Sequence, residues 1–151
     1  VPESADRDGG RGRPRLTGSE GTTRYRDGSG WQDSAGYSRA VRREDTIAVS
    51  GTTADAVDGR VVSPGDTGEQ TRQALAAVVA AVTALGGSID DIVRTRLLLT
   101  PDADWEAACA VHGEIFAEVL PANSTYRVAG LLGTGFLVEV EADAILGALE
   151  R

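Results

Sequence analysis

Cys109 and His112 are the only cysteine and the only histidine in the 151-residue chain, and they would stand one turn apart on a helix. A structural zinc site takes four ligands, so two do not make one; the pair is read as core packing and no metal centre is expected. A single cysteine also rules out an internal disulfide. All 15 basic residues are Arg, which excludes Schiff-base chemistry on a lysine. Asn123-Ser124-Thr125 spells a glycosylation acceptor, but with no secretion signal to accompany it a cytoplasmic protein is expected. What remains is oxygen and guanidinium chemistry on alternating residues. Asn123, Thr125 and Arg127 share one side of an extended segment by its period of two, and Arg94 and Arg96 share a side of another.

The elements that must position these groups can be read from the pattern around them. Tyr37 to Val41 and Thr46 to Ser50 read as a hairpin around the charged turn Arg42-Arg43-Glu44-Asp45. A third short strand is expected at Arg60 to Ser63, after the Asp58-Gly59 turn signal and before Pro64-Gly65. Asp66 with Glu69 three residues on opens a helix, Leu75, Val78, Val79, Val82 and Leu85 give it an apolar face, and Gly86-Gly87 ends it. Ile92 to Thr100 is a strand stopped by Pro101. A second helix follows, capped by Asp102 or Asp104 and running to about Val119, with Trp105, Ala108, Cys109, His112, Ile115, Phe116 and Val119 inward. Asn123 to Leu131 and Phe136 to Ala144 close the chain as two strands joined across Gly133-Thr134-Gly135. The layout is α+β: a five- to six-stranded mixed sheet with two helices packed on one face. Two helices leave the other face uncovered, and its mixture of apolar and charged residues fits a symmetric subunit interface.

Composition narrows the partners. At 41% hydrophobic residues the chain can bury one core, with residues 31–151 as the domain. Residues 1–30 hold almost no aliphatic side chains and are expected to be a flexible tail. Six Arg against five acids give that tail +1, and nine against eighteen leave the remainder at -9. Such a charge opposes nucleic acid and anionic membranes, and no apolar run reaches the length of a membrane span. The glycines near Gly28 and Gly30 are not expected to form a strand-to-helix phosphate loop, so no cofactor is expected.

Several segments together resemble the reactive intermediate deaminase (Rid) family, also called YjgF-type or L-PSP endoribonuclease-like proteins. They are Ala35-Gly36-Tyr37-Ser38-Arg39-Ala40-Val41, Ile47-Ala48-Val49-Ser50-Gly51, Gln70 to Leu75 and Asp91 to Thr95. The closing signature, P-A-R-S-x-x-x-V-x-x-L and then E-x-E-A, resembles Pro121 to Leu131 and Glu139-Val140-Glu141-Ala142. The resemblance spans roughly Trp31 to Leu146. It implies a chorismate mutase-like fold, homotrimers and clefts between subunits. In the deaminating members an arginine of P-A-R-S grips the carboxylate of an imino acid, while a backbone carbonyl and a glutamate position water. The glutamate corresponds to Glu139, the carbonyl position to Thr125 and the cleft tyrosine to Tyr37, with Ser50 and Gly51 nearby.

The arginine's place is taken by Asn123, which has amide donors but no charge and no bidentate fork. Asn123 would therefore bind a neutral carbonyl, hydroxyl or amide, or make a structural bond between loop and strand. Arg96 or Arg127 could supply the missing charge, although Arg127 lies about 13 Å along the strand from Asn123 and would serve a longer ligand or a neighbouring subunit. The other reading of these arginines is ion pairing with Glu139, Glu141 or an aspartate. Trp31 would line the cleft beside Tyr37 or anchor the entry to the domain. The expected function is water or proton transfer on a small imine, enamine or related carbonyl compound, distinct from standard 2-imino acid deamination. A biosynthetic isomerase, cyclase or dehydratase on the same fold, and a noncatalytic small-molecule-binding regulator, are the alternatives. Cleavage of RNA ranks last, because the domain is acidic and has no histidine pair.

Overall fold

The computed structural model describes residues 12–55 and 59–147. Its elements are the strands β1 (Arg15–Ser19) and β2 (Thr22–Arg26), helix α1 (Gly30–Ala35), strands β3 (Ala40–Arg43) and β4 (Thr46–Thr53), helix α2 (Thr67–Ala84), strand β5 (Ile92–Leu99), helix α3 (Trp105–Ile115), and strands β6 (Ala122–Arg127) and β7 (Val138–Ile145). The strands form one mixed sheet in the order β1-β2-β3-β4-β7-β5-β6, in which only the β5–β6 pair is parallel. The α+β class holds, with seven strands and three helices among the described residues. No helix there is long and apolar enough to cross a membrane.

Helix α2 forms where expected. Asp66 caps it by accepting from the Glu69 amide at 2.9 Å, and Leu75, Val78 and Val82 are fully buried against the sheet. On β7 the residues Val138, Val140, Ala142 and Ala144 alternate inward to that core, which sends Glu139, Glu141 and Asp143 to the opposite face. Gln70 is buried among these apolar groups because it ties down the glycine-rich loop before β7. Its Nε2 donates to the carbonyls of Ser63 and Gly135, and its Oε1 accepts from the Leu137 amide at 2.9 Å.

The structure departs from the sequence reading in several places. Residues 15–26, placed in a flexible tail, form a hairpin turned by Glu20-Gly21, with Gly21 at φ 73°, and β2 pairs with β3. The part of that tail over residues 1–11 lies outside the described residues. Gly28 does stand between a strand and a helix, and Gly30 is the first residue of that helix, α1. However, α1 has only six residues, and Asp27 puts a carboxylate at its start, accepting from the Ser29 amide at 3.0 Å. The strand expected at 60–63 reduces to a single bridge between Val61 and Asp55, ended by Ser63 at φ 52° before Pro64; Asp58 of its turn signal is outside the described residues. Strand β6 stops at Arg127, short of Leu131, because its partner β5 ends at Leu99. Strands β6 and β7 do not pair, since β5 lies between them. Helix α3 ends at Ile115 and turns Ala108 and Val111 inward, leaving Trp105 half-exposed.

Candidate functional site

Glu139 extends from β7 on the face that α2 leaves open. In the sheet register it sits between Thr53 of β4 and Leu98 of β5. A bulge lies beside it: Val49 pairs with Ala142 and Thr52 with Val140, so Ser50 and Gly51 together oppose the single residue Glu141. The Glu139 carboxylate rests on the Cα of Gly51. A Cβ at that position would stand 2.8 Å from Glu139 Cδ, which is why the bulge carries a glycine. The Glu139 carboxyl has no hydrogen-bond or ion-pair partner among the described residues. Burial raises its pKa above the usual carboxylate range; the charge of Glu141 adds to the rise, and that of Arg39 opposes it. A carboxyl in this state holds its proton more tightly than an exposed one, which suits it to act as an acid or a base.

Arg39 was not singled out from the sequence, yet it organises this corner. Only 5% exposed, it donates from Nε to Asp27 Oδ2 at 2.8 Å and from Nη1 to the Gly51 carbonyl at 2.6 Å, Thr52 Oγ1 at 3.0 Å and Ser50 Oγ at 3.3 Å. In return the Ser50 amide and hydroxyl donate to the Arg39 carbonyl. Its burial depends on Asp27, which belongs to a stretch with no strand pattern of its own, so neighbouring sequence gives no sign of it.

Tyr37 and Ser50 stand on the wall of a cleft of about 430 Å³ on the same open face, together with Arg24, Arg96, Glu141 and Asp143. Tyr37 lies in the segment before β3 rather than in a strand. Arg96 is held by two acids, 3.6 Å from Glu141 and 3.2 Å from Asp143. Trp31, on α1, is 68% exposed and is not part of that wall.

Asn123, Thr125 and Arg127 lie elsewhere. Their register with Thr95, Leu97 and Leu99 puts them on the helix side of edge strand β6, opposite to Glu139's face and two strands away from β7. There Asn123 Nδ2 donates to Thr95 Oγ1 at 3.0 Å, Thr125 Oγ1 donates to Asn123 Oδ1 at 2.9 Å, and Thr95 Oγ1 meets His112 Nε2 at 2.7 Å. Burial lowers the pKa of His112 and so favours its neutral ring, and the tautomer sets which of Nε2 and the threonine hydroxyl donates in this contact. Thr125 and Arg127 border a second cleft, of about 360 Å³, with Leu99, Trp105, Cys109 and Tyr126. Arg127 donates to the Pro101 carbonyl at 2.8 Å. Cys109 is half-buried at this cleft rather than packed in the core.

The sequence model of the family described as Endoribonuclease L-PSP matches residues 31–146. An uncharacterized protein of Streptomyces coelicolor is 36% identical over 132 residues, 87% of this chain and 98% of that protein. A 2-iminobutanoate/2-iminopropanoate deaminase of Capra hircus is 35% identical over 114 residues, 75% of this chain and 82% of the deaminase. The crystal structure of Rv2704 from Mycobacterium tuberculosis, described as a member of the YjgF/YER057c/UK114 family, has a TM-score of 0.74 at 35% identity, covering 83% of this chain and 99% of that one.

Proposed function

The chain belongs to the endoribonuclease L-PSP family of Rid/YjgF proteins, and from that premise we propose that it hydrolyses a small imine or enamine, or a related carbonyl compound, with Glu139 moving the proton. One observation carries this reading: the Glu139 carboxyl is half-buried against Gly51 without a hydrogen-bond partner among the described residues, and its pKa is raised. The carboxylate takes a proton from a water molecule as the water oxygen bonds to the C=N carbon, and passes that proton to the nitrogen, which gives a carbinolamine. It then takes the carbinolamine's hydroxyl proton and delivers it to the nitrogen as the C=O bond forms and the C–N bond breaks, leaving a carbonyl compound and ammonia.

The preferred substrate lacks the carboxylate of an imino acid. Asn123 is uncharged and already bonded to Thr95 and Thr125, the charge of Arg96 is answered by Glu141 and Asp143, and Arg127, four residues along β6, is turned to the Pro101 carbonyl. The deaminase relatives make imine chemistry the first class to test.

Glu139 and the pair Asn123–Thr125 serve one site only if two copies meet. Within one chain two strand spacings, about 10 Å, and the thickness of the sheet separate them. A homotrimer with the β6 edge of one copy set against the open face of the next would unite them. Light scattering is expected to give three times the chain mass, and a monomer at micromolar concentration would refute this arrangement.

Ammonia release from imines formed in situ by an amino-acid oxidase tests the chemistry. Turnover that disappears in Glu139→Gln, with assembly unchanged, is the expected result. Full activity in that variant would remove Glu139 from the mechanism. Tight ligand binding without any turnover would favour the noncatalytic regulator.

A further inference from the structure

The hairpin that precedes the matched family region reaches the Glu139 corner through one residue. Asp27 follows β2 directly, and its carboxylate accepts from Arg39 Nε at 2.8 Å, from the Gln32 side chain and from the Ser29 amide. Both members of the ion pair are largely buried, with side-chain exposures of 6% for Arg39 and 14% for Asp27. At its other end the same guanidinium binds Ser50, Gly51 and Thr52, the bulge against which the Glu139 carboxylate rests. One buried guanidinium thus joins its counter-ion Asp27 to the bulge on which the proposed acid-base group rests.

We propose that Asp27 and Arg39 are a positioning pair for Glu139: Arg39 fixes the Ser50–Gly51 bulge under the carboxyl, and Asp27 sets how much of the guanidinium's positive charge that carboxyl experiences. The proposal rests on the acid-base role assigned to Glu139 above and extends it to a segment upstream of the matched region. Other groups face Glu139 as well. Glu141 repels it from its own strand, Arg96 on β5 is already paired with Glu141 and Asp143, and the direct neighbours across the sheet, Thr53 and Leu98, carry no charge. Arg39 is therefore the attractive charge at this corner, and its effect is tuned by its ion pair with Asp27.

The two residues make opposite predictions, which separates an electrostatic role from a merely structural one. Asp27→Asn leaves the guanidinium uncompensated, so Glu139 becomes a stronger acid. Arg39→Gln removes the cation, so Glu139 becomes a weaker one. The experiment follows the Glu139 carboxyl carbon by NMR against pH in the full-length protein, with no substrate present. Shifts of about half a pH unit or more, downward for Asp27→Asn and upward for Arg39→Gln, are expected. Arg39→Lys, which keeps the charge, is expected to stay on the wild-type side of Arg39→Gln. If Arg39→Gln does not fold, the Asp27→Asn and Arg39→Lys titrations decide alone. Shifts of the same sign in both charge-removing variants, or no shift in Asp27→Asn, would overturn the proposal. Because no turnover is read, a wild-type protein inactive on every imine would refute the proposed function and leave this result standing.

Discussion

Replacing Gly51 with alanine separates the geometry of the site from the stability of the fold. Gly51 is not at a positive φ, so an alanine backbone is unstrained there, and the loss of chain freedom in the unfolded state contributes about 0.4–1 kcal/mol in its favour. Against this, the new Cβ would stand 2.8 Å from Glu139 Cδ and 3.3 Å from Cγ, so the carboxylate must swing away. The displaced atoms end a flexible side chain, and an off-rotamer shift of this kind costs about 0.5–1.5 kcal/mol. The two terms nearly cancel, so the denaturant midpoint of Gly51→Ala should stay close to that of the wild type. Activity should not, because displacing a reacting group by about 1 Å costs on the order of 100-fold. Ammonia release is the assay, with Glu139→Gln as the reference for complete loss. Wild-type turnover in Gly51→Ala, or a collapse of stability without a specific loss of rate, would show that the contact between Gly51 and Glu139 does not govern the chemistry.

Asn123→Arg should raise hydrolysis of 2-iminopropanoate by at least about 30-fold, the lower end of what a partly buried arginine–carboxylate pair contributes, and an unchanged rate would mean that another group already holds the carboxylate. His112, with its folded pKa below the ordinary 6.5, contributes stability that is complete above that value and is lost as pH falls towards the folded pKa. Glu139, raised, works in the other direction, so the clean comparison is with His112→Gln, whose unfolding midpoint should fall less than the wild type's between about pH 7 and pH 5. Asp27→Ala keeps β1 and β2 in place and leaves Arg39 without its counter-ion, a loss of about 3–5 kcal/mol that urea unfolding would register; an unchanged midpoint would show that the pair adds nothing to stability.

Helix α2 was legible because its cap, its apolar spacing and its glycine stop agree with one another, and β5 because branched residues run up to a proline. The β1–β2 hairpin was not, because its Thr and Arg strands are ordered by pairing along β3 rather than by burying apolar surface, and composition registers only the burial. On α3 and the turn after it, Ala108, Ile115, Phe116 and Val119 face the core as their spacing predicts, whereas Val111 was missed and Cys109 opens onto a cleft, because Cys109 was counted among the apolar residues of that face. Glu139 and Tyr37 could be placed only through the family segments. Asn123's bonds to Thr95 and Thr125 follow from a parallel register that local sequence does not encode.

The position of β7 bears on how the molecule is made. It is the last of the described strands in sequence, yet it lies inside the sheet, between β4 and β5. During synthesis the two halves of the sheet emerge first, each with an eight-residue strand whose backbone edge is unpaired, and β5 carries Leu97-Leu98-Leu99 on that edge. Neither half can close before β7 leaves the ribosome, because each edge waits for the same strand. A chain that stopped a few residues short of β7 would therefore present two unpaired edges rather than a slightly smaller sheet, and the vulnerable period in its synthesis is the interval before β7 emerges.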